Sequence, residues 1–179
     1  MFHKFFFWAI TCFMFGSLTF GGAKYVGTKS CGMCHKKDDV GNQIKVWKNS
    51  KHANAYKALQ TEKANEIAKG KGFKTKAVDT KECLKCHATG YDVNKSMLEE
   101  DFDIADGVQC ETCHGAGSEF NTKNIMKDKN LAEQKGLLLY KNPNDLCVKC
   151  HNKQSPTFKG FNFKTEWAKI EHLDPKVKK

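Results

Sequence analysis

Eight of the nine cysteines in this 179-residue chain fall into four copies of one pentapeptide, and nothing else in the sequence limits its fold so tightly. The copies are residues 31–35 (CGMCH), 83–87 (CLKCH), 110–114 (CETCH) and 147–151 (CVKCH). The thiols are Cys31 and Cys34, Cys83 and Cys86, Cys110 and Cys113, and Cys147 and Cys150; the histidines that follow them are His35, His87, His114 and His151. C-x-x-C-H is the attachment signature of c-type haem. Two thiols about one helical turn apart add to the two vinyl groups on one edge of a porphyrin, and the next residue turns its imidazole onto the iron. Zinc sites use C-x-x-C pairs but do not need a histidine after each. With histidine at roughly one residue in 25, four successive coincidences would arise on the order of once in several hundred thousand. Disulfides are usual in exported proteins, yet C-x-x-C pairs make poor structural staples. The chain is therefore expected to carry four covalently attached haem c groups. Motif spacings of 52, 27 and 37 residues exclude a simple internal repeat.

Haem of this type is attached outside the cytoplasm, and the N-terminus supplies the route. A short basic start at 1–4 precedes the 16-residue apolar run 5–20 (FFFWAITCFMFGSLTF), and Gly21, Gly22 and Ala23 offer small residues for a cut after Ala23. This is the pattern of a cleavable secretory signal peptide. The run is shorter than the roughly 20 residues that span a bilayer, and no other apolar run approaches that length. Ala9, Ile10 and Thr11 make a poor lipobox ahead of Cys12. Residues 1–23 are read as the signal and 24–179 as a single domain, delivered to the periplasm without stable membrane insertion.

Removing the signal leaves 156 residues, of which 48 are apolar apart from the motif cysteines. That is thin for a self-sufficient core. The porphyrins themselves should serve as the core, and the chain without them should be largely unfolded. A chain of this length compacts to a radius of gyration of about 15 Å, so plates roughly 10 Å across must lie near contact. The charge also changes meaning. The full chain is at +10, and loss of Lys4 with the signal makes it +9. Four haems bring propionates that offset most of this, so nucleic-acid binding loses its warrant. Lys69, Lys71, Lys74 and Lys76 suit either propionate pairing or a solvated face, and the acidic run Glu99, Glu100, Asp101, Asp103 and Asp106 reads as a solvated loop.

Helix and loop should dominate. The longest helical stretch spans 41–69, starting near Asn42, with Ile44, Trp47, Ala55, Ala58 and Leu59 on one face and His52 at its edge. Gly70 to Gly72 end it. Residues 88–107 read as loop with short strands at most, 131–140 as a short helix, and 165–172 as a last helical segment. Pro143 should precede a short helix carrying the fourth motif, and no sheet of any size is signalled.

Axial ligands can be counted. Six histidines lie beyond residue 23, and four are proximal, so only His52 and His172 remain for four sixth positions. At most two haems can be bis-histidine within one chain. On a continuous helix His172 falls opposite the stripe of Phe163, Trp167 and Ile170. Among the methionines, Met33 is trapped inside a C-x-x-C loop, while Met97 and Met126 remain as candidates.

Three stretches go beyond bare haem motifs: 25–35 (YVGTKSCGMCH), 47–53 (WKNSKHA) and 107–117 (GVQCETCHGAG). With all four motifs in order, they resemble the tetrahaem cytochrome c554 family. The resemblance implies a mainly helical fold with closely stacked haems and a role in periplasmic electron transfer. It implies that His52 ligates the haem on His114, that His172 ligates the haem on His151, and that the iron on His87 is five-coordinate. The family's distal histidine for the first haem follows the third motif, whereas residues 121–128 (NTKNIMKD) hold none. Met126 is the nearest substitute for the haem on His35, with a second open site as the alternative.

The expectation is a mainly α multihaem cytochrome, with helices and long loops packed around four haems. It would pass single electrons between donor and acceptor proteins, with a monomer as the simplest state. Two other classes stand beside it. An open iron on His87 could reduce a small nitrogen species such as nitric oxide or hydroxylamine, although no histidine is left as an acid and Tyr91 and Lys85 are weak substitutes. A haem-lined filament would need spare histidines to donate between chains.

Overall fold

A computed structural model of the chain describes residues 22–172. The run 5–20 and the basic tail 176–179 lie outside the described residues. Among those described, the fold consists of ten short α-helices and several 3-10 turns, none of the helices longer than nine residues. The strand-like pairing is an isolated parallel bridge between Tyr25 and Leu98. A mainly α chain without a sheet is what the sequence leads one to expect. No helix among the described residues is long and apolar enough to cross a membrane.

The stretch 41–69 is not one helix. It divides into α2 (Gln43–Lys48), a 3-10 turn at His52–Asn54, α3 (Ala55–Leu59) and α4 (Glu62–Gly70), after α1 (Gly27–His35). Local side-chain bonds make the breaks. The Ser50 hydroxyl donates to the Trp47 carbonyl at 2.7 Å, and the Thr61 hydroxyl accepts the Ala64 amide at 3.2 Å as the N-cap of α4. Such bonds offer the backbone an alternative to the helical ladder. The start beside Asn42 and the stop at Gly70 to Gly72 are where the sequence puts them.

α5 (Lys81–His87) and α6 (Cys110–His114) follow, then α7 (Lys123–Met126), α8 (Lys129–Gln134), α9 (Asn144–Cys147) and α10 (Phe163–Trp167). The helix expected over 131–140 starts earlier and stops earlier, because Gly136 takes φ 102°, and residues 137–140 are not helical. α9 begins directly after Pro143, as expected. The last helix ends at Trp167, so His172 is not helical.

The protein's own apolar core is small. Its buried apolar side chains among the described residues are Val26, Ile44, Leu59, Phe120 and four alanines. The one cluster joins Leu59, Ala68 and Ala77, with Phe73, Val78, Cys83 and Leu84 packed against it. It braces α5 and hence the second motif. The acidic run is largely exposed, as expected, and makes pairs at the surface. Lys24 pairs with Glu99 at 3.4 Å, Lys29 pairs with Asp101, and the Thr28 hydroxyl donates to Asp106.

Candidate haem-binding centres

Three of the four motif histidines close a helix. His35 ends α1, His87 ends α5 and His114 ends α6. In the fourth motif α9 stops at Cys147, and the amide of His151 still reaches the Cys147 carbonyl at 2.9 Å. Each motif thus turns its two thiols and its imidazole toward the same side of one turn of chain.

The thiols bring the motifs together in an order that differs from the sequence. Cys31 of the first motif lies beside Cys110 of the third, and Cys86 of the second beside Cys150 of the fourth. Contact with Cys150 lowers the Cys86 thiol to about 7. Burial, reinforced by nearby Cys147, raises Cys113 to about 11 and places the third motif beside the fourth. The contacts therefore run first, third, fourth, second.

The imidazoles are held from behind. Nδ1 of His87 lies 2.8 Å from the Ala55 carbonyl, Nδ1 of His114 lies 3.1 Å from the Leu138 carbonyl, and Nδ1 of His172 lies 2.8 Å from the Ile170 carbonyl. A carbonyl can only accept, so Nδ1 carries the proton and Nε2 keeps its lone pair, the arrangement of a metal-ligating histidine. Burial, with nearby His151 as the second cause, holds His52 below its ordinary range and so in the neutral form.

Two histidine pairs face each other. The ring centres of His52 and His151 are 6.0 Å apart, and those of His114 and His172 are also 6.0 Å apart. Two metal–nitrogen bonds of about 2 Å, plus about 1 Å from each nitrogen to its ring centre, give roughly this separation. Paired thiols, neutral imidazoles and facing rings together form a donor set that fits covalently held haem c. His52 thus lies beside the fourth motif and His172 beside the third. The reason is local. α10 stops at Trp167, and the non-helical segment after it carries His172 to His114. Among the described residues no second imidazole faces His35 or His87.

Residues 30–115 match the sequence pattern of the family described as cytochrome c554 and c-prime. Over these residues the chain belongs to the cytochrome c554 family. The match takes in the first three motifs and His52, while the fourth motif and His172 lie beyond it. No curated protein and no solved structure matches the chain. Membership makes the protein a c-type cytochrome of electron transfer, with covalently bound haem and redox partner proteins.

The residues that position the ligands in this cytochrome c554 chain were legible as a pattern but not as roles. Trp47 Nε1 donates to the Val108 carbonyl at 2.8 Å, and the Val108 amide donates to the His52 carbonyl at 3.1 Å. The His52 turn is thereby fastened to the lead-in of the third motif. Gly107 makes the approach feasible: it takes φ 73°, and a Cβ there would lie 2.6 Å from the His52 carbonyl oxygen. Glu111, inside the third C-x-x-C loop, is 4% exposed. Its carboxylate accepts the amides of Val26 at 2.8 Å, Gly27 at 2.9 Å and Gly117 at 2.8 Å. It fastens the start of α1 to α6 and so holds the first motif against the third. A carboxylate in a haem-attachment loop was the available signal. Met126 ends α7 and is half-buried.

Proposed function

We propose that the protein is an exported, periplasmic tetrahaem cytochrome that passes single electrons between two redox partner proteins. The observation that carries this is the facing of both inner motif histidines, His114 and His151, by a second imidazole at 6.0 Å. The eight motif cysteines hold the porphyrins and the four motif histidines take the proximal positions. His172 completes the centre on His114, and His52 completes the centre on His151. Bound haem c supplies a one-electron iron couple at each centre. The chain's part is to fix ligand orientation, to keep Nε2 free of its proton, and to bring the centres within contact range in the order first, third, fourth, second.

The end centres differ from the inner pair. For the centre on His35 the proposed sixth ligand is Met126. The lead-in of α7 touches α1 where the Asn121 amide reaches the Ser30 hydroxyl at 3.4 Å, one residue before Cys31. A methionine ligand raises a haem potential. Met126→Ala should remove the long-wavelength charge-transfer band of the oxidised protein and lower one midpoint, and an unchanged titration would sink this ligand. The centre on His87 is proposed to be five-coordinate.

The whole assignment is tested on the purified holoprotein. Its N-terminus should be Lys24, its mass and haem content should give four haems per chain, and electron paramagnetic resonance should show two bis-histidine low-spin irons. Fewer than four haems, or four equivalent low-spin irons, would overturn it. A second reading, reduction of a small nitrogen species at His87, is favoured by one observation. A cleft of about 200 Å³ beside the second motif is lined by Lys85, Tyr91 and Asp92. Failure of carbon monoxide to bind the reduced protein would remove that reading and leave the carrier.

A further inference from the structure

His35 is the exception among the histidines that are held at Nδ1. His87, His114 and His172 lean on backbone carbonyls, whereas Nδ1 of His35 lies 3.2 Å from Oε1 of the Gln43 side chain. The Gln43 amide cannot be turned the other way. Its Nε2 donates to the Val40 carbonyl, which can only accept, so Oε1 must be the atom that faces the imidazole. Oε1 has no proton to give, so Nδ1 of His35 must be the donor. One chain of bonds, from Val40 through Gln43 to His35, therefore decides which ring nitrogen is left for a metal.

The placement of Gln43 is itself secured. It opens α2, and the N-cap Asn42 beside it adopts φ 43° with its side chain accepting the Lys45 amide at 3.3 Å. The Asn42 amide also donates to the Asp38 carboxylate at 2.8 Å, closing the loop between α1 and α2. Ile44, the next residue, is buried and anchors the helix. The acceptor is thus a side chain on a fixed mount.

Resting on the reading of His35 as a haem ligand, we infer that Gln43 is a positioning residue that sets the tautomer and the donor strength of His35, and so the potential of the centre at one end of the series. A backbone carbonyl offers one fixed acceptor strength; a side chain at this place can be exchanged. A stronger acceptor pulls the Nδ1 proton further, makes Nε2 a better donor and lowers the potential. Loss of the acceptor does the opposite.

The test is a spectroelectrochemical titration of Gln43→Leu and Gln43→Glu holoproteins beside the parent, with haem occupancy of the 31–35 peptide read by mass spectrometry. Gln43→Leu should raise one of the four midpoints and Gln43→Glu should lower the same one, leaving the other three in place. Shifts of equal sign in both variants, or no shift with all four haems present, would overturn the role of Gln43. A parent protein lacking haem on the 31–35 peptide would instead remove the reading of His35 on which the inference stands.

Discussion

The imidazole of His52 faces that of His151 at 6.0 Å, while the carbonyl of the same His52 accepts the amide of Val108, two residues before Cys110. One residue thus belongs to two motifs. Its backbone is tied to the approach of the third, and its ring lies against the fourth. Substituting the ring and disturbing the backbone should have different consequences.

His52→Ala should convert the centre on His151 from low-spin to high-spin and leave the centre on His114 intact, and His172→Ala should do the reverse. Each should add one carbon monoxide site per chain to the reduced protein. Haem-methyl nuclear magnetic resonance, with contacts traced to α6 or to the fourth motif, tells the centres apart. If His52→Ala perturbs the haem held by Cys110 and Cys113, the pairing is wrong.

Gly107→Ala acts through the backbone. The added Cβ would meet the His52 carbonyl oxygen at 2.6 Å, and φ 73° is disfavoured for alanine. The cost should be about 1–3 kcal/mol. The fall should appear in the denaturation midpoint, together with broadening of the low-spin signal of the His52–His151 centre. Ala105→Gly, in the neighbouring 3-10 turn, serves as a control without that clash.

Glu111→Ala would leave the amides of Val26, Gly27 and Gly117 buried without a partner. Three bonds to a charged acceptor are lost at once, and a loss of roughly 3–5 kcal/mol is expected in chemical denaturation of the holoprotein. The loss should also loosen the contact between the first and third motifs, so the fastest step of electron redistribution after flash reduction should slow. A stability within about 0.5 kcal/mol of the parent would contradict the role assigned to this carboxylate.

The chain prepared without haem, by synthesis in the cytoplasm without the export signal, should show weak far-ultraviolet circular dichroism and no cooperative melting. Its own buried apolar set among the described residues is four larger side chains, Val26, Ile44, Leu59 and Phe120, with four alanines, and these do not hold a domain of this size. A cooperative transition in the haem-free chain would refute this.

The motifs were legible because haem attachment is a local affair: two thiols, one turn, one imidazole. The number of histidines was equally plain, and it limited the ligand sets before any geometry was known. Which histidine meets which motif was not legible. It depends on α10 stopping at Trp167, and a helical wheel extended to residue 172 points His172 elsewhere. The breaks in 41–69 were hidden for a related reason. Ser50 and Thr61 read as ordinary polar positions on a helix, but their hydroxyls bond to nearby backbone and end it. Gln43 and Glu111 look like surface residues in sequence, and only the folded chain shows that each has a buried or half-buried partner to serve.

The order of thiol contacts, first to third to fourth to second, has a consequence for how such a chain can be cut or enlarged. The two motifs at the ends of the series both lie in the N-terminal half, and the two that join them both lie in the C-terminal half. No fragment of consecutive residues retains one end and its route to the other. A chain stopped before residue 147 would keep both terminals and lose the junction between them. A cut between the second and third motifs would therefore leave both end centres on one piece, parted from the pair that joins them.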